Sequence, residues 1–186
     1  THRLCSVCDK LMVIVDALTG KVITTIPIGD RVDGVSFDPG LKRAYSSNGD
    51  GTMTVVQEVN ENTFKVLENV ETQIGARTIT LDKSTHKIYI PDGNNHKILI
   101  VDGIKKQLIK QIDFTGNPPF SIRNFDDKIF IIDQNNGIIY VLDCFQDKII
   151  AKIDNVGKLP FMLGYNDYQN KLYVSNWLGQ NISVID

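Results

Sequence analysis

The last five residues, "ISVID" closing on Asp186, have four relatives upstream: "VIVD" closing on Asp16, "TVVQE" on Glu58, "ILIVD" on Asp102 and "IYVLD" on Asp143. The closing residues are spaced by 42, 44, 41 and 43 positions. Nothing else in the chain constrains its fold as strongly. A period of this length means that one structural unit is built several times and buries its core against its neighbours.

Three further landmarks recur in step. "LCSVCD", "AYSSN", "IYIPD", "IFIID" and "LYVSN" precede the anchors, and "KVITTIPIG", "FKVLENV", "QLIKQI" and "KIIAKI" follow them. Ahead of the second landmark stand "DGVSFDP", "ARTITLD", "PFSIRNF" and "PFMLGYN". Each period thus holds four short runs rich in Val, Ile, Tyr and Phe, separated by Gly, Asn, Asp and Pro, which is strand and turn chemistry. "NGDG" at 48–51 and "NNG" at 135–137 supply residues that tolerate positive φ in tight hairpins. No room remains for helices. The pattern predicts an all-β chain, a β-propeller built of four-stranded antiparallel blades.

The segments "LYVSN" (172–176), "SVID" (183–186) and "TTIPIG" (24–29) carry a more specific likeness. In them the chain resembles the YVTN-repeat β-propeller family, YncE-like proteins in particular, with "YVSN" departing from Tyr-Val-Thr-Asn by one Thr-to-Ser change. "VDGVSFDPG" and "SSNGDGT" in the first half fit the same likeness, whereas "IFIID" and "IYIPD" match it less closely. The resemblance implies a ring of about seven blades, roughly 300 residues. It also implies a non-enzymatic binding or interaction module in the periplasm, at the cell surface or secreted.

In the order innermost, second, third and outermost strand, the chain starts on a second strand and stops on a third. This divides it into a partial blade at 1–30, complete blades at 31–72, 73–116 and 117–157, and a partial blade at 158–186, about 4.3 repeats in all. Such a set does not close a ring, so the expectation is a portion of a longer propeller whose open blade edges favour self-association. A compact 20.9 kDa monomer in solution would count against that expectation. Composition also shifts along the chain. Thr falls from 11 to 1 and Ile rises from 8 to 16 between 1–92 and 93–186, as a join of two sources near residues 91–97 would produce, or ordinary drift between repeats.

Strand alternation places the candidate site. The links between second and third strands, and those from an outermost strand to the next innermost one, share one face, here called the top. The outer-to-inner links bring Arg31, Asp33, Arg77, Asn117 and Lys158 toward the central channel, and the second-to-third links present Asn48, Asp50, Asp92, Asn94, His96, Asn135, Trp177 and Gln180. From these, Arg31, Asp33, Asp50, Arg77, His96, Asn117, Lys158 and Trp177 are the candidate ligand-binding residues. Their mixed charge points to a polar or anionic small ligand or to a protein partner. Arg77 has a structural alternative in a salt bridge between blades, Asp33 in capping its turn, and Trp177 in covering a blade edge. Asp16, Asp102, Asp143 and Asp186 end strands and start turns, which explains their recurrence.

Other classes find little support. Net charge is −2 and the Lys and Arg are scattered, so no basic stripe offers multiple phosphate contacts. Nucleic acid, bound by some YncE-like relatives, is therefore not the favoured partner. No apolar run reaches the roughly 18–20 residues that span a bilayer. A lactonase-like or lyase-type propeller enzyme, with a metal in the channel, requires carboxylate and His residues converging on the top mouth. The chain offers Asp33 and Asp50 there, but no His on an innermost strand and no recognisable nucleophile motif. No catalytic residue, metal ligand set or cofactor is assigned. Cys5 and Cys8 form a C-x-x-C, but in an apolar strand rather than at a helix start, which favours packing over redox or metal chemistry.

Overall fold

A computed structural model describes residues 2–186. The apolar runs form eighteen strands in five antiparallel sheets. The first sheet holds β1 (Arg3–Cys8), β2 (Leu11–Asp16) and β3 (Val22–Pro27). The second holds β4 (Val32–Asp38), β5 (Arg43–Asn48), β6 (Thr52–Asn60) and β7 (Thr63–Glu71). The third holds β8 (Thr80–Asp82), β9 (Lys87–Asp92), β10 (Lys97–Asp102) and β11 (Gln107–Asp113). The fourth holds β12 (Ser121–Phe125), β13 (Lys128–Asp133), β14 (Ile138–Asp143) and β15 (Lys148–Ile153). The fifth holds β16 (Pro160–Asn166), β17 (Lys171–Asn176) and β18 (Asn181–Ile185). Each strand pairs with the next in sequence, so every sheet is a meander. Three four-stranded blades thus stand between two three-stranded ones, as in part of a β-propeller.

The core lies between blades rather than inside any one of them. Four clusters fill the four interfaces: Met12 and Ile14 meet Ala44 and Val56, while Tyr45 and Val55 meet Leu81 and Ile88. Tyr89 and Ile100 meet Ile122 and Ile129, and Ile132 and Ile139 meet Leu163 and Val174. Because side chains alternate across a sheet, a middle blade must be apolar on both faces. Accordingly β9 and β14 are almost wholly buried, whereas the outer strands β11 and β15 are mostly exposed. Where third and outermost strands pair, the register shifts at Ile14/Val15, Val55/Val56, Ile100/Val101 and Val141/Leu142. A bulge at one height in all four blades raises local twist there. Pro91 to Lys97, where composition changes, is a hairpin in which Asp92 faces Lys97 and Pro91 faces Ile98.

The top ends of the second strands are locked by a buried Asn or Asp, in successive blades Asn48, Asp92, Asp133 and Asn176. Asp92 accepts the backbone N–H of Asn94 (3.1 Å) and Asn95 (3.2 Å), and Asp133 accepts those of Asn136 (3.1 Å) and Asn117 (3.0 Å). Asn48 instead donates to the hydroxyls of Thr52 and Thr54, both at 3.0 Å. The incoming link crosses this side chain so closely that three blades place a glycine there. A Cβ at Gly29, Gly116 or Gly157 would sit 2.4, 2.5 or 2.3 Å from Asn48, Asp133 or Asn176. At the opposite strand ends Asp16, Asp102 and Asp143 accept backbone N–H groups of their turns, at 2.8–3.0 Å.

These contacts yield a stability test. Gly116→Ala forces a methyl against the Asp133 carboxylate and the Phe114 ring, and is expected to cost about 1–3 kcal/mol in urea denaturation. Gly164→Ala, with nothing within 4 Å of its added carbon, is expected to be neutral or slightly stabilising.

Candidate ligand-binding mouth

In two blades one residue opens the innermost strand at an irregular step, and in two more a residue stands just ahead of that strand at the same height. In β4 the pairing passes from Val32↔Asn48 to Gly34↔Ser47, which leaves Asp33 as the extra residue. In β16 it passes from Pro160↔Asn176 to Met162↔Ser175, which leaves Phe161. The Arg77 N–H bonds to the Pro91 carbonyl at 3.3 Å and the Phe120 N–H to the Ile132 carbonyl at 3.1 Å, each just before the buried Asp of its blade. Asp33, Arg77, Phe120 and Phe161 therefore hold one register in four consecutive blades. Bulges re-aim side chains, and these four sit at the top of the strands nearest the axis. Together they form an arc of acid, base and two aromatic rings.

The aromatic part continues outward. The Phe120 and Phe161 centroids lie 5.1 Å apart at 44°, and Phe161 and Trp177 lie 5.4 Å apart at 45°. The Trp177 backbone N–H is anchored on the Leu159 carbonyl at 2.9 Å, yet the residue stays 66% exposed. A flat apolar face is thus presented at the rim, and tilted ring contacts hold its orientation.

The other seven candidates separate into two kinds. Asp33, Arg77, Lys158 and Arg31 are exposed, and none makes a side-chain ion pair among the described residues. The salt bridge considered for Arg77 is accordingly not formed. Arg31 has a φ of 55°, and its carbonyl accepts the Gly49 N–H at 3.0 Å. The Lys158 carbonyl takes the Gly179 N–H at 3.2 Å. Asp50, His96 and Asn117 are tied into the loops. The Asp50 carboxylate accepts the Asp30 N–H (2.7 Å), the Thr52 N–H (3.0 Å) and the Thr52 hydroxyl (2.7 Å). His96 places Nδ1 3.1 Å from the Gly116 carbonyl while its own backbone carbonyl accepts the Phe114 N–H at 2.8 Å, and Asn117 donates its backbone N–H to Asp133. Asn48 and Asp92, counted among top-face residues, are fully buried in turns rather than presented.

Phe120 and Phe161 were not among the sequence candidates, although "PPF" and "LPF" place a Pro-Phe pair at the same point of consecutive repeats. Cys8 departs from the packing role expected of it: it is exposed, while Cys5 is half-buried. The two are three apart on one strand, hence on opposite faces, and share neither a disulfide nor a ligand site. His86 lies at the bottom, with Nδ1 2.6 Å from the buried Asp38 carboxylate. Among the described residues no group of three or more His, Cys, Asp or Glu stands ready to hold a metal ion, and no helix is long and apolar enough to cross a membrane.

No family profile and no curated protein matches the chain. Solved structures do. Dihydro-heme d1 dehydrogenase NirN superposes with a TM-score of 0.77 over 100% of this chain and 41% of its own, at 16% identity. Hydrazine synthase of Kuenenia stuttgartiensis gives 0.69 over 83% of this chain and 45% of its own, at 19% identity. Both are β-propeller proteins, and at such identities the likeness shows the propeller fold alone. This chain spans less than half the length of either.

The loop network has a pH signature. Partial burial opposes ionisation of Asp50, but the hydrogen bonds from Thr52 and Asp30, aided by the Arg31 charge, outweigh it and hold its carboxyl below the usual carboxylate range. A depressed folded-state value means stabilisation that is complete at neutral pH and lost as pH falls through it, below about 4. Amide exchange at Asp30 and Thr52, corrected for intrinsic rates, is expected to quicken on acidification before the blade cores open. Asp50→Ala is expected to show the fast exchange already at neutral pH.

Proposed function

We propose that the protein is a non-enzymatic binding propeller whose top mouth takes a small polar ligand, one with an anionic group on a flat aromatic body. The arc of Asp33, Arg77, Phe120 and Phe161, extended by Trp177, carries this reading. Arg77 brings an exposed guanidinium that can meet a carboxylate with two parallel N–H donors. The adjoining rings supply a stacking face of matching width, and Asp33 can accept a donor from the far end of the ligand. Such a division, an apolar floor with a few directional polar groups, is what small-molecule sites generally use. In this reading the protein works outside the cytoplasm, as the family resemblance implies. A protein partner presenting a carboxylate beside an aromatic side chain would use the same groups.

Trp177 is the only tryptophan, so its fluorescence reports directly on the rim. Titration with benzoate and with L-phenylalanine is expected to change that emission saturably, the amino acid binding more tightly through Asp33. Arg77→Ala and Phe161→Ala are each expected to weaken binding about tenfold. Failure of both probes to perturb Trp177, or unchanged affinity in both variants, would overturn the reading.

A further inference from the structure

The second strands of successive blades open on Arg3, Arg43, Lys87, Lys128 and Lys171. Two positions later stand Cys5, Tyr45, Tyr89, Phe130 and Tyr173. Four blades therefore carry an aromatic ring where the first carries a thiol. Tyr45 and Tyr89 are fully buried in the interface with the following blade. Each hydroxyl donates to a carbonyl of that blade's turn between third and outermost strands, Gly103 and Cys144 respectively, both at 3.3 Å.

Between the first and second blades the ring is missing, and a cavity of about 550 Å³ takes its place. Cys5, Val35, Phe37 and Phe64 line it, with Glu58, Arg3 and Lys42 in its polar lining. Gln57, paired with Arg43, holds the register of Asp102 and Asp143, and Glu58 stands where Gly103 and Cys144 accept the tyrosine hydroxyls in the following blades. The second blade extends its hairpin beyond Glu58 to a turn capped by Asn60, so no turn N–H is left for the Glu58 carboxylate. Glu58 is only 5% exposed, and its carboxylate accepts no hydrogen bond and forms no ion pair with any described residue. Arg3 is engaged elsewhere, with Asp16 at 2.9 Å and the Glu61 carbonyl at 3.0 Å. Burial first, then the Glu58 charge, pushes the Cys5 thiol up to about 11, which fits the closeness of the two groups. The Glu58 carboxylate is thus an acceptor without a protein donor among the described residues, and it borders an apolar space of ligand size.

We propose that this cavity is a second binding site, for a single aromatic ring bearing a hydrogen-bond donor: a phenol whose ring sits where Tyr45 and Tyr89 sit in the next blades and whose hydroxyl donates to Glu58. The ring can belong to a free phenol or to a tyrosine of another polypeptide, since the recognised chemistry is the same. The cavity and the top mouth share β4, but Cys5 and Glu58 lie on strands that contribute nothing to the arc.

The test uses the full-length protein with p-cresol, toluene and N-acetyltyrosinamide, followed by two-dimensional NMR. Saturable shifts with p-cresol, with toluene binding about tenfold more weakly for want of a donor, are expected. Cys5→Tyr fills the cavity and is expected to abolish p-cresol binding and raise the melting temperature. Glu58→Leu removes the acceptor without filling the space, and is expected to lose the preference for p-cresol over toluene, so the proposal stands or falls even if Cys5→Tyr does not fold. Binding of N-acetyltyrosinamide would point to a polypeptide source, and its exclusion alongside p-cresol binding to a free phenol. No saturable p-cresol binding, or binding undiminished in a folded Cys5→Tyr, would overturn the proposal.

Discussion

A four-stranded sheet that is apolar on both faces cannot exist alone in water, and the rest of this structure follows from that constraint. β9, β10 and β14 carry buried side chains on both sides, and every hydrophobic cluster draws on two adjacent blades. Stability is then a sum of nearest-neighbour interfaces, as in other repeat architectures. The same contacts set the angle and height of each blade, and therefore the places where the top links emerge.

At that height the repeat uses its buried polar residue. Asp92 and Asp133 are removed from water completely, which is tolerable because turn N–H groups donate to both and the incoming link donates to Asp133 as well. The link passes these buried side chains closely, which is why glycine stands at Gly29, Gly116 and Gly157. Just beyond this lock comes the irregular first step of the innermost strand, where neither core packing nor the lock specifies the side chain. Asp33, Arg77, Phe120 and Phe161 share that position with four chemistries among them. A uniform scaffold that presents a non-uniform arc is suited to recognition, and the reading of the mouth as a binding site rests on this contrast. The interface between the first two blades shows the converse: one change of residue type at a core register, to Cys5, leaves a space that the repeat fills elsewhere with Tyr45 and Tyr89.

Much of this was legible in the chain. The spacing of Asp16, Glu58, Asp102, Asp143 and Asp186 marked the blades, and alternation along each run marked which loops share a face. Arg31, Asp33, Asp50, Arg77, His96, Asn117, Lys158 and Trp177 all belong to top-face segments. Their separate fates were not legible. Asp50 and His96 hold loops because backbone N–H and carbonyl groups come within reach only when two links cross. Phe120 and Phe161 read as strand hydrophobes until the irregular register set them at the rim beside Trp177.

By itself, then, the sequence determined the all-β repeat, the order of strands and the sidedness of the loops, because these depend on local periodicity and turn chemistry, which a chain carries wherever it folds. Only the tertiary structure decided which polar side chains are consumed by loop hydrogen bonds, which four residues share one register at the mouth, and where Cys5 leaves a cavity against Glu58. Each of those depends on groups tens of residues apart approaching to within a few ångströms, and blade stacking, rather than any local signal, sets that approach.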